Sequence, residues 1–168
     1  LENRSIHRLW GKGSPFYSVY DIGSYTFAPY KVVWKEVSAR MKAGGFHVAV
    51  VEAIEDKYLG QKVVVLDHTL ILIPFSDREE AYYVAGILNS IVATIYGVYM
   101  VGGMLESMFI PKFNPQSELH KRIAELSEKA HEIAKCIYTD VKPSYCRDIK
   151  NPQEELARIE KELDRAVA

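Results

Sequence analysis

The chain has 168 residues, of which 48% are hydrophobic and 26% charged. This is enough for a compact domain with a hydrophobic core and excludes a disordered or collagen-like protein. Its formal charge of -1 and pI of about 6.6 argue against a uniformly basic nucleic-acid-binding protein and a polybasic membrane-surface protein. The chain begins at Leu1 and ends within a helical pattern, so we expect a piece of a larger protein.

The charge is unevenly distributed along the chain. Residues 1–45 hold seven Lys or Arg and three Asp or Glu, for a net charge of +4, and residues 46–116 hold four against eight, for -4. Nine of the nineteen aromatic residues lie within residues 1–46. Basic residues interleaved with aromatic ones are typical of a surface that neutralises phosphates and stacks on bases, although aromatic residues that alternate into a sheet core are the alternative.

A strand-like pattern follows from residue 31 onwards. Runs of β-branched residues, separated by turn signals such as Gly44-Gly45 and Gly60, predict strands at residues 31–37, 46–54, 62–66 and 69–74. Because the connections are short, we expect a small and mostly antiparallel sheet. Ser76 or Asp77 then caps a helix that runs to Ile91, and residues 108–111 predict a final short strand.

The longest apolar run covers residues 82–104. It is interrupted by Asn89, Ser90, Thr94 and four glycines, which favours a buried helix over a membrane span. We therefore expect no interaction with a membrane.

Residues 117–168 show a heptad pattern instead. Apolar residues recur at alternating spacings of four and three in two stretches that are joined by a polar, proline-containing linker. The pattern predicts two helices that fold back as a hairpin, or that dock on a partner or self-associate. We expect an α+β domain at residues 1–116 and a helical hairpin or spacer at residues 117–168. The heptad positions are Leu119, Ile123, Leu126, Ala130, Ile133, Ile137, Leu156, Ile159, Leu163 and Ala166.

The cysteines and the helical histidines carry no strong signal for a site. Cys136 and Cys146 are not spaced as CxxC, so we expect neither a disulfide nor a zinc site, and a reducing cytoplasm as the compartment. His131 lacks the second histidine that a zinc-protease helix requires. We expect His120 and His131 to lie on the solvated face of a charged helix.

One short motif leaves an enzymatic alternative open. Glu55 and Lys57 have the carboxylate-x-lysine form of metal-dependent nucleases, but a further acidic ligand on a neighbouring strand is not evident. The glycine-rich stretches lack the spacing of a phosphate-binding loop, and no nucleophile elbow occurs.

Four segments, taken in order, resemble a known family. They are residues 25–35 (YTFAPYKVVWK), 80–90 (EAYYVAGILNS), 109–114 (FIPKFN) followed by His120, and 162–168 (ELDRAVA). Together they resemble the C-terminal specificity region of the TaqI-like and type IIG adenine-N6 DNA methyltransferases of restriction-modification systems. The resemblance extends from about Tyr17 to the end of the chain.

The resemblance implies DNA target recognition and no methyl transfer by this chain. The family's S-adenosylmethionine loop and its Asn-Pro-Pro-aromatic motif are missing, since Gln116 follows Asn114-Pro115 and Gln153 follows Asn151-Pro152. The implied partners are double-stranded DNA and a catalytic methyltransferase domain of the same polypeptide, which would bind the S-adenosylmethionine. No cofactor is expected in this chain itself.

The basic, aromatic part of the chain would then approach the DNA. For Trp34 we favour a core position, and for Asn89 a polar contact in helix packing. The alternatives are a protein-interaction module that uses the heptad helices, and a metal-dependent nuclease. The candidate DNA-binding residues are Lys31, Lys35, Arg40, Lys42, Tyr25 and Tyr30.

Overall fold

The structure, a computed structural model, describes residues 22–35, 47–67, 69–99, 108–140 and 142–168. These residues form an α+β fold, as the sequence predicts, with a three-stranded sheet, a separate two-stranded hairpin and four α-helices. The strands are β1 (Tyr30–Lys35), β2 (Ala49–Glu52), β3 (Ile54–Asp56), β4 (Gly60–Lys62) and β5 (Leu70–Phe75). The helices are α1 (Arg78–Asn89), α2 (Ile91–Tyr99), α3 (Glu118–Tyr138) and α4 (Pro152–Val167), with 3₁₀ helices at Ser24–Phe27 and Ser144–Asp148.

The sheet is antiparallel and has the order β2-β1-β5. In its central strand Val32 lies opposite Val50 on one side and Ile73 on the other. All three pack into the core, together with Trp34, so the core position expected for Trp34 is confirmed. The second sheet consists of β3 and β4 alone.

Two of the strand predictions were wrong, and the single strand predicted at residues 46–54 is divided at Ala53 between β2 and β3, which belong to different sheets. The strand predicted at residues 62–66 is absent beyond Lys62, where β4 ends. The carbonyl of Val64 accepts a hydrogen bond from Lys31 and is not part of a β ladder. Residues 108–111 have no regular structure. Met108 and Ile110 pack against the core while Phe109 faces solvent, so this segment alternates like a strand without pairing with one.

Helix α1 is the central layer of the fold. Asp77 caps it by accepting the N–H of Glu80 at 2.8 Å, in agreement with the predicted cap, and residues 81–88 are all buried. The predicted run to Ile91 is interrupted at Ser90, whose hydroxyl donates to the carbonyl of Ile87. A new helix, α2, begins at Ile91, whose N–H donates to Asp164 of α4 at 2.7 Å. Within the described parts of the chain, no helix has both the length and the apolar character needed to cross a bilayer.

The heptad residues from Ile123 onwards form the packing surface between α3, α4 and α1, so the predicted helical hairpin is observed. Leu119, the first heptad position, is exposed. Ile123, Ile133 and Ile159 are buried in one core cluster with residues of α1 and the sheet. Helices α1 and α3 approach closely at Gly86, where a built Cβ atom would lie 3.0 Å from Cγ2 of Ile123. The core therefore crosses residue 116, and the proposed division of the chain at that point stays a prediction.

The two cysteines form a disulfide, and the expectation that they would not was wrong. Cys136 lies in the last turns of α3 and Cys146 in the following 3₁₀ helix, with Cα atoms 5.5 Å apart. The linker after α3 turns back on the helix and brings the pair together. This proximity depends on the path of the linker, which cysteine spacing does not reveal.

Candidate nucleic-acid interface

The two candidate lysines on β1 differ in exposure. Lys35 is exposed at the end of the strand. Lys31 is only 1% exposed, and its ammonium group donates to the carbonyls of Ala28 at 2.7 Å and Val64 at 3.0 Å. Burial also lowers the pKa of Lys31. Lys31 is therefore occupied inside the protein and is not available for DNA, which corrects the sequence-based expectation.

The remaining candidate residues that the structure describes, Tyr25 and Tyr30, do not form one site with Lys35. Tyr30 packs against the core and Tyr25 is half-buried in the first 3₁₀ helix. Tyr30 and Lys35 lie at opposite ends of β1, a separation of about 17 Å at the rise of a β-strand. Arg40 and Lys42 lie outside the described residues.

A hairpin that the sequence analysis did not select as a DNA contact presents the most exposed large hydrophobic side chains of the described β region. Strands β3 and β4 pair with each other and with no other strand among the described residues. At the tip, Tyr58 is 85% and Leu59 71% exposed, and Lys57 beside them is also exposed. The ammonium group of Lys57 lies 5.4 Å from the ring centre of Tyr58. The hairpin tip thus combines an aromatic, an apolar and a basic side chain in solvent.

Local chemistry fixes the shape of this tip. The Oδ1 atom of Asp56 accepts the N–H groups of Tyr58 and Leu59, both at 2.9 Å, a turn that aspartate characteristically forms. Gly60 follows with a φ of 68°, a left-handed conformation that glycine adopts without strain. An aspartate and a glycine four residues apart were the available sequence signal for this turn.

A polar cluster lies where β2, α1 and α3 meet. Glu52 accepts hydrogen bonds from Tyr82 at 2.7 Å and from Arg78 at 3.1 Å, and Arg78 also pairs with Glu128 at 2.7 Å. Burial alone raises the pKa of Glu52, but the bonds from Tyr82 and Arg78 lower it below its ordinary value overall. Burial and the neighbouring carboxylate raise the pKa of Tyr82. Each of these polar groups has its hydrogen-bond or ion-pair partner within the cluster. The cluster therefore joins three elements of the fold and does not form an open active site.

The histidines of α3 take structural positions, and the prediction that they are simply solvated was wrong. His131 Nε2 accepts the N–H of Val50 at 3.1 Å, and Nδ1 lies 2.7 Å from the carbonyl of Ser127. These partners require the neutral ring with its proton on Nδ1, and burial lowers the pKa of His131. His120 stacks on Tyr83 with ring centres 4.6 Å apart. Both rings face the core because α3 packs on α1.

Asn89 and His131 together cover the β2 edge of the described three-stranded sheet. The side chain of Asn89 accepts the N–H of Val48 and donates to its carbonyl, both at 2.9 Å, while His131 accepts from Val50. Val48 precedes edge strand β2 and Val50 lies within it. The packing role expected for Asn89 is confirmed, and the pairing protects backbone groups that an edge strand leaves open.

Comparison with protein-family models, curated proteins and solved structures finds no match to this chain.

The nuclease alternative gains no support from the described residues. Glu55 is exposed on the hairpin, and Asp56 is engaged by the turn at its tip. The described parts of the chain contain no group of three or more histidine, cysteine or acidic side chains placed to hold a metal ion.

A cleft of about 480 Å³ lies between α3, the linker and the start of α4. Its lining includes Glu132, Asp148 and Glu154 as well as Lys150, and Lys129 there pairs with Glu155 at 3.5 Å. This mixture of charges does not form the continuous basic surface that a phosphate backbone requires.

Proposed function

We propose that this chain is the DNA target-recognition part of an adenine-N6 modification methyltransferase. The observation that carries the proposal is the exposed β3–β4 hairpin, with Lys57, Tyr58 and Leu59 at its tip and Lys62 at its base. The resemblance of the four sequence segments supports the same function. The proposed partners are double-stranded DNA and a catalytic domain of the same polypeptide.

The dimensions and chemistry of the hairpin suit a DNA groove. The major groove of B-DNA admits a two-stranded β ribbon. Lysines beside such a ribbon contact phosphates, which sets affinity, and an exposed aromatic or apolar tip contacts thymine methyl groups at the base edges. Lys35, exposed at the far end of β1, is a further candidate phosphate contact.

Methyl transfer is proposed for the catalytic domain and not for this chain. Asn114 accepts the N–H of Gln116, and Asn151 caps α4 by accepting the N–H of Glu154. Both asparagines thus serve local structure, and neither is followed by the proline pair of the family's catalytic motif. We assign S-adenosylmethionine to the catalytic domain, as the family resemblance implies.

The buried heptad residues weigh against the alternative of a helical docking module. Ile123 and Ile133 are 4% and 2% exposed within this chain, so self-association through them would require the helices to separate. We place the protein in the cytoplasm with its DNA. Thiols are kept reduced there, so we expect Cys136 and Cys146 as thiols in the cell and as a disulfide in oxidised preparations.

The test is the salt dependence of binding between the 168-residue chain and a fluorescent 30-base-pair duplex. Each phosphate contact contributes about -0.9 to the slope of log K against log salt. We expect the double variant Lys57→Ala/Lys62→Ala to make that slope shallower by about 1.8. The matched control is Lys112→Ala/Lys161→Ala, which removes two exposed lysines outside the hairpin. Absence of binding at 50 mM salt, or the same slope for both double variants and the wild type, would contradict the proposal.

A further inference from the structure

We propose that Glu55 and Gln61 form a base-reading pair on one face of the β3–β4 hairpin, with Gln61 selecting an A·T pair through adenine and Glu55 selecting a G·C pair through the amino group of cytosine. This inference rests on the DNA-binding function proposed above and adds the residues that would determine sequence preference.

The pairing of the two strands places these side chains together. Glu55 lies directly opposite Gln61, while Ile54 lies opposite Lys62. Side chains of directly opposed residues share one face of an antiparallel pair, with Cβ atoms about 5 Å apart. The hairpin therefore has a polar face, Glu55 with Gln61, and a second face that carries Ile54 and Lys62.

The polar face is open to a ligand. Both Glu55 and Gln61 are exposed. Asp56, the carboxylate next to Glu55, is held by two backbone N–H groups of the turn. The fixed turn restricts how the two strands can move relative to one another, so the pair is presented in a defined geometry, and preorganisation of this kind lowers the entropic cost of binding.

The two side chains have complementary preferences for base edges. A glutamine amide donates to N7 of adenine and accepts from its N6 amino group, and a glutamate carboxylate accepts from the N4 amino group of cytosine. Guanine presents two acceptors in the major groove, and thymine presents an acceptor and a methyl group. A carboxylate facing only acceptors is repelled, so Glu55 also acts against guanine and thymine.

The removal of Glu55 has a signature that a purely structural residue would not show. Because its negative charge opposes the phosphate backbone, Glu55→Gln should strengthen binding to random DNA while weakening the preference for particular bases. Gln61→Ala should reduce the preference for one base pair over the others at a single position by roughly 5-fold to 150-fold, which is the discrimination that one good bidentate contact provides. Both residues are exposed, so neither change should unfold the chain.

The experiment is selection from a randomised 24-base-pair duplex library by the 168-residue chain, followed by sequencing. Affinities for the unselected pool and for the enriched sequence are measured in parallel. We expect the wild type to enrich an A·T pair at one position and a G·C pair at another, Gln61→Ala to relax the A·T position, and Glu55→Gln to relax the G·C position while binding the random pool more tightly. The matched controls are Gln153→Ala and Glu154→Gln on α4, which should leave the enriched sequence unchanged.

The possible failures are distinguishable. If the wild type does not bind duplex DNA at 50 mM salt, the proposed function itself is overturned. If the wild type binds but enriches no sequence, or if Glu55→Gln and Gln61→Ala enrich the same sequence with the same affinities as the wild type, DNA binding stands and the base-reading role is overturned. Circular dichroism of each variant verifies that it is folded as the wild type is.

Discussion

The substitution His131→Phe tests how α3 secures the edge of the sheet. Phenylalanine keeps an aromatic ring near Tyr82, whose ring centre lies 5.3 Å from that of His131, but it cannot accept the N–H of Val50 or donate to Ser127. A hydrogen-bonding group left without a partner inside a protein costs about 1–3 kcal/mol. Because Val50 is only half-buried, water can partly replace the lost acceptor. We therefore expect the free energy of unfolding to decrease by an amount in the lower half of that range.

The same histidine should make stability depend on pH. Burial lowers the pKa of folded His131, with a further contribution from Lys135, while the carbonyl of Ser127 and the carboxylates of Glu52 and Glu128 oppose this shift. Below about pH 6.5 the unfolded chain binds a proton at this residue that the folded chain does not. The free energy of unfolding should therefore decrease as pH falls below 6.5, by at most about 1.4 kcal/mol per pH unit. The decrease should stop below the folded pKa.

Urea unfolding of the wild type and His131→Phe between pH 5 and pH 8, followed by circular dichroism, measures both effects. The difference between the two curves isolates His131 from the other titrating groups. We expect the gap in unfolding free energy to be widest at pH 8 and to narrow on acidification. If the wild type and His131→Phe had equal free energies of unfolding at pH 8, the hydrogen bonds of His131 would not stabilise the fold. If the difference between them did not change with pH, a lowered pKa of His131 would be contradicted.

Three further predictions concern the same core, each measured by urea unfolding. Asn89→Ala should lower the free energy of unfolding by about 1–3 kcal/mol, because both hydrogen bonds to Val48 are lost; an unchanged value would show that water replaces the amide. Reduction of the Cys136–Cys146 disulfide should lower the free energy of unfolding by about 2–3 kcal/mol, which is the loop-closure entropy expected for a sequence separation of 10. In a cysteine-to-serine variant, reductant should leave the free energy of unfolding unchanged. Ser127→Ala should be neutral or stabilising, since the buried hydroxyl of Ser127 has no hydrogen-bond partner among the described residues; a loss above about 1 kcal/mol would contradict this.

Local patterns were sufficient for much of the fold. The heptad spacing located α3 and α4, and a capping residue followed by two glutamates located the start of α1 at Asp77. Alternation placed Val32 and Trp34 together on one face of β1, which is the face that packs on the helices. These features depend on residues close in sequence, and their physics is therefore visible in the sequence.

The errors came from contacts between distant residues. Alternation along β1 puts Lys31 on the same side as Lys35, but the segment at Val64 passes near its ammonium group and buries it. The residues next to His131 in the sequence are charged, which is typical of an exposed helix face. Its hydrogen-bond partner Val50 is 81 residues away in the sequence, so the contact cannot be seen from the neighbouring residues. The Cys136–Cys146 contact likewise depends on how the linker turns after α3.

The proposed interface lies on residues that the sequence analysis did not select as DNA contacts. The basic and aromatic composition directed attention to residues 1–46, of which the structure describes residues 22–35. The hairpin at residues 54–62 has as many acidic as basic residues, so counting charge could not select it. What distinguishes it is the exposure of Tyr58 and Leu59 on a ribbon that pairs with no other strand of the described structure.

The most direct test of the central proposal is a binding titration of the 168-residue chain with duplex DNA at increasing salt, in parallel with Lys57→Ala/Lys62→Ala. We expect binding that weakens steeply with salt, and a slope of log K against log salt that is shallower by about 1.8 in the double variant. No binding at 50 mM salt, or a salt slope that the double variant leaves unchanged, would contradict it.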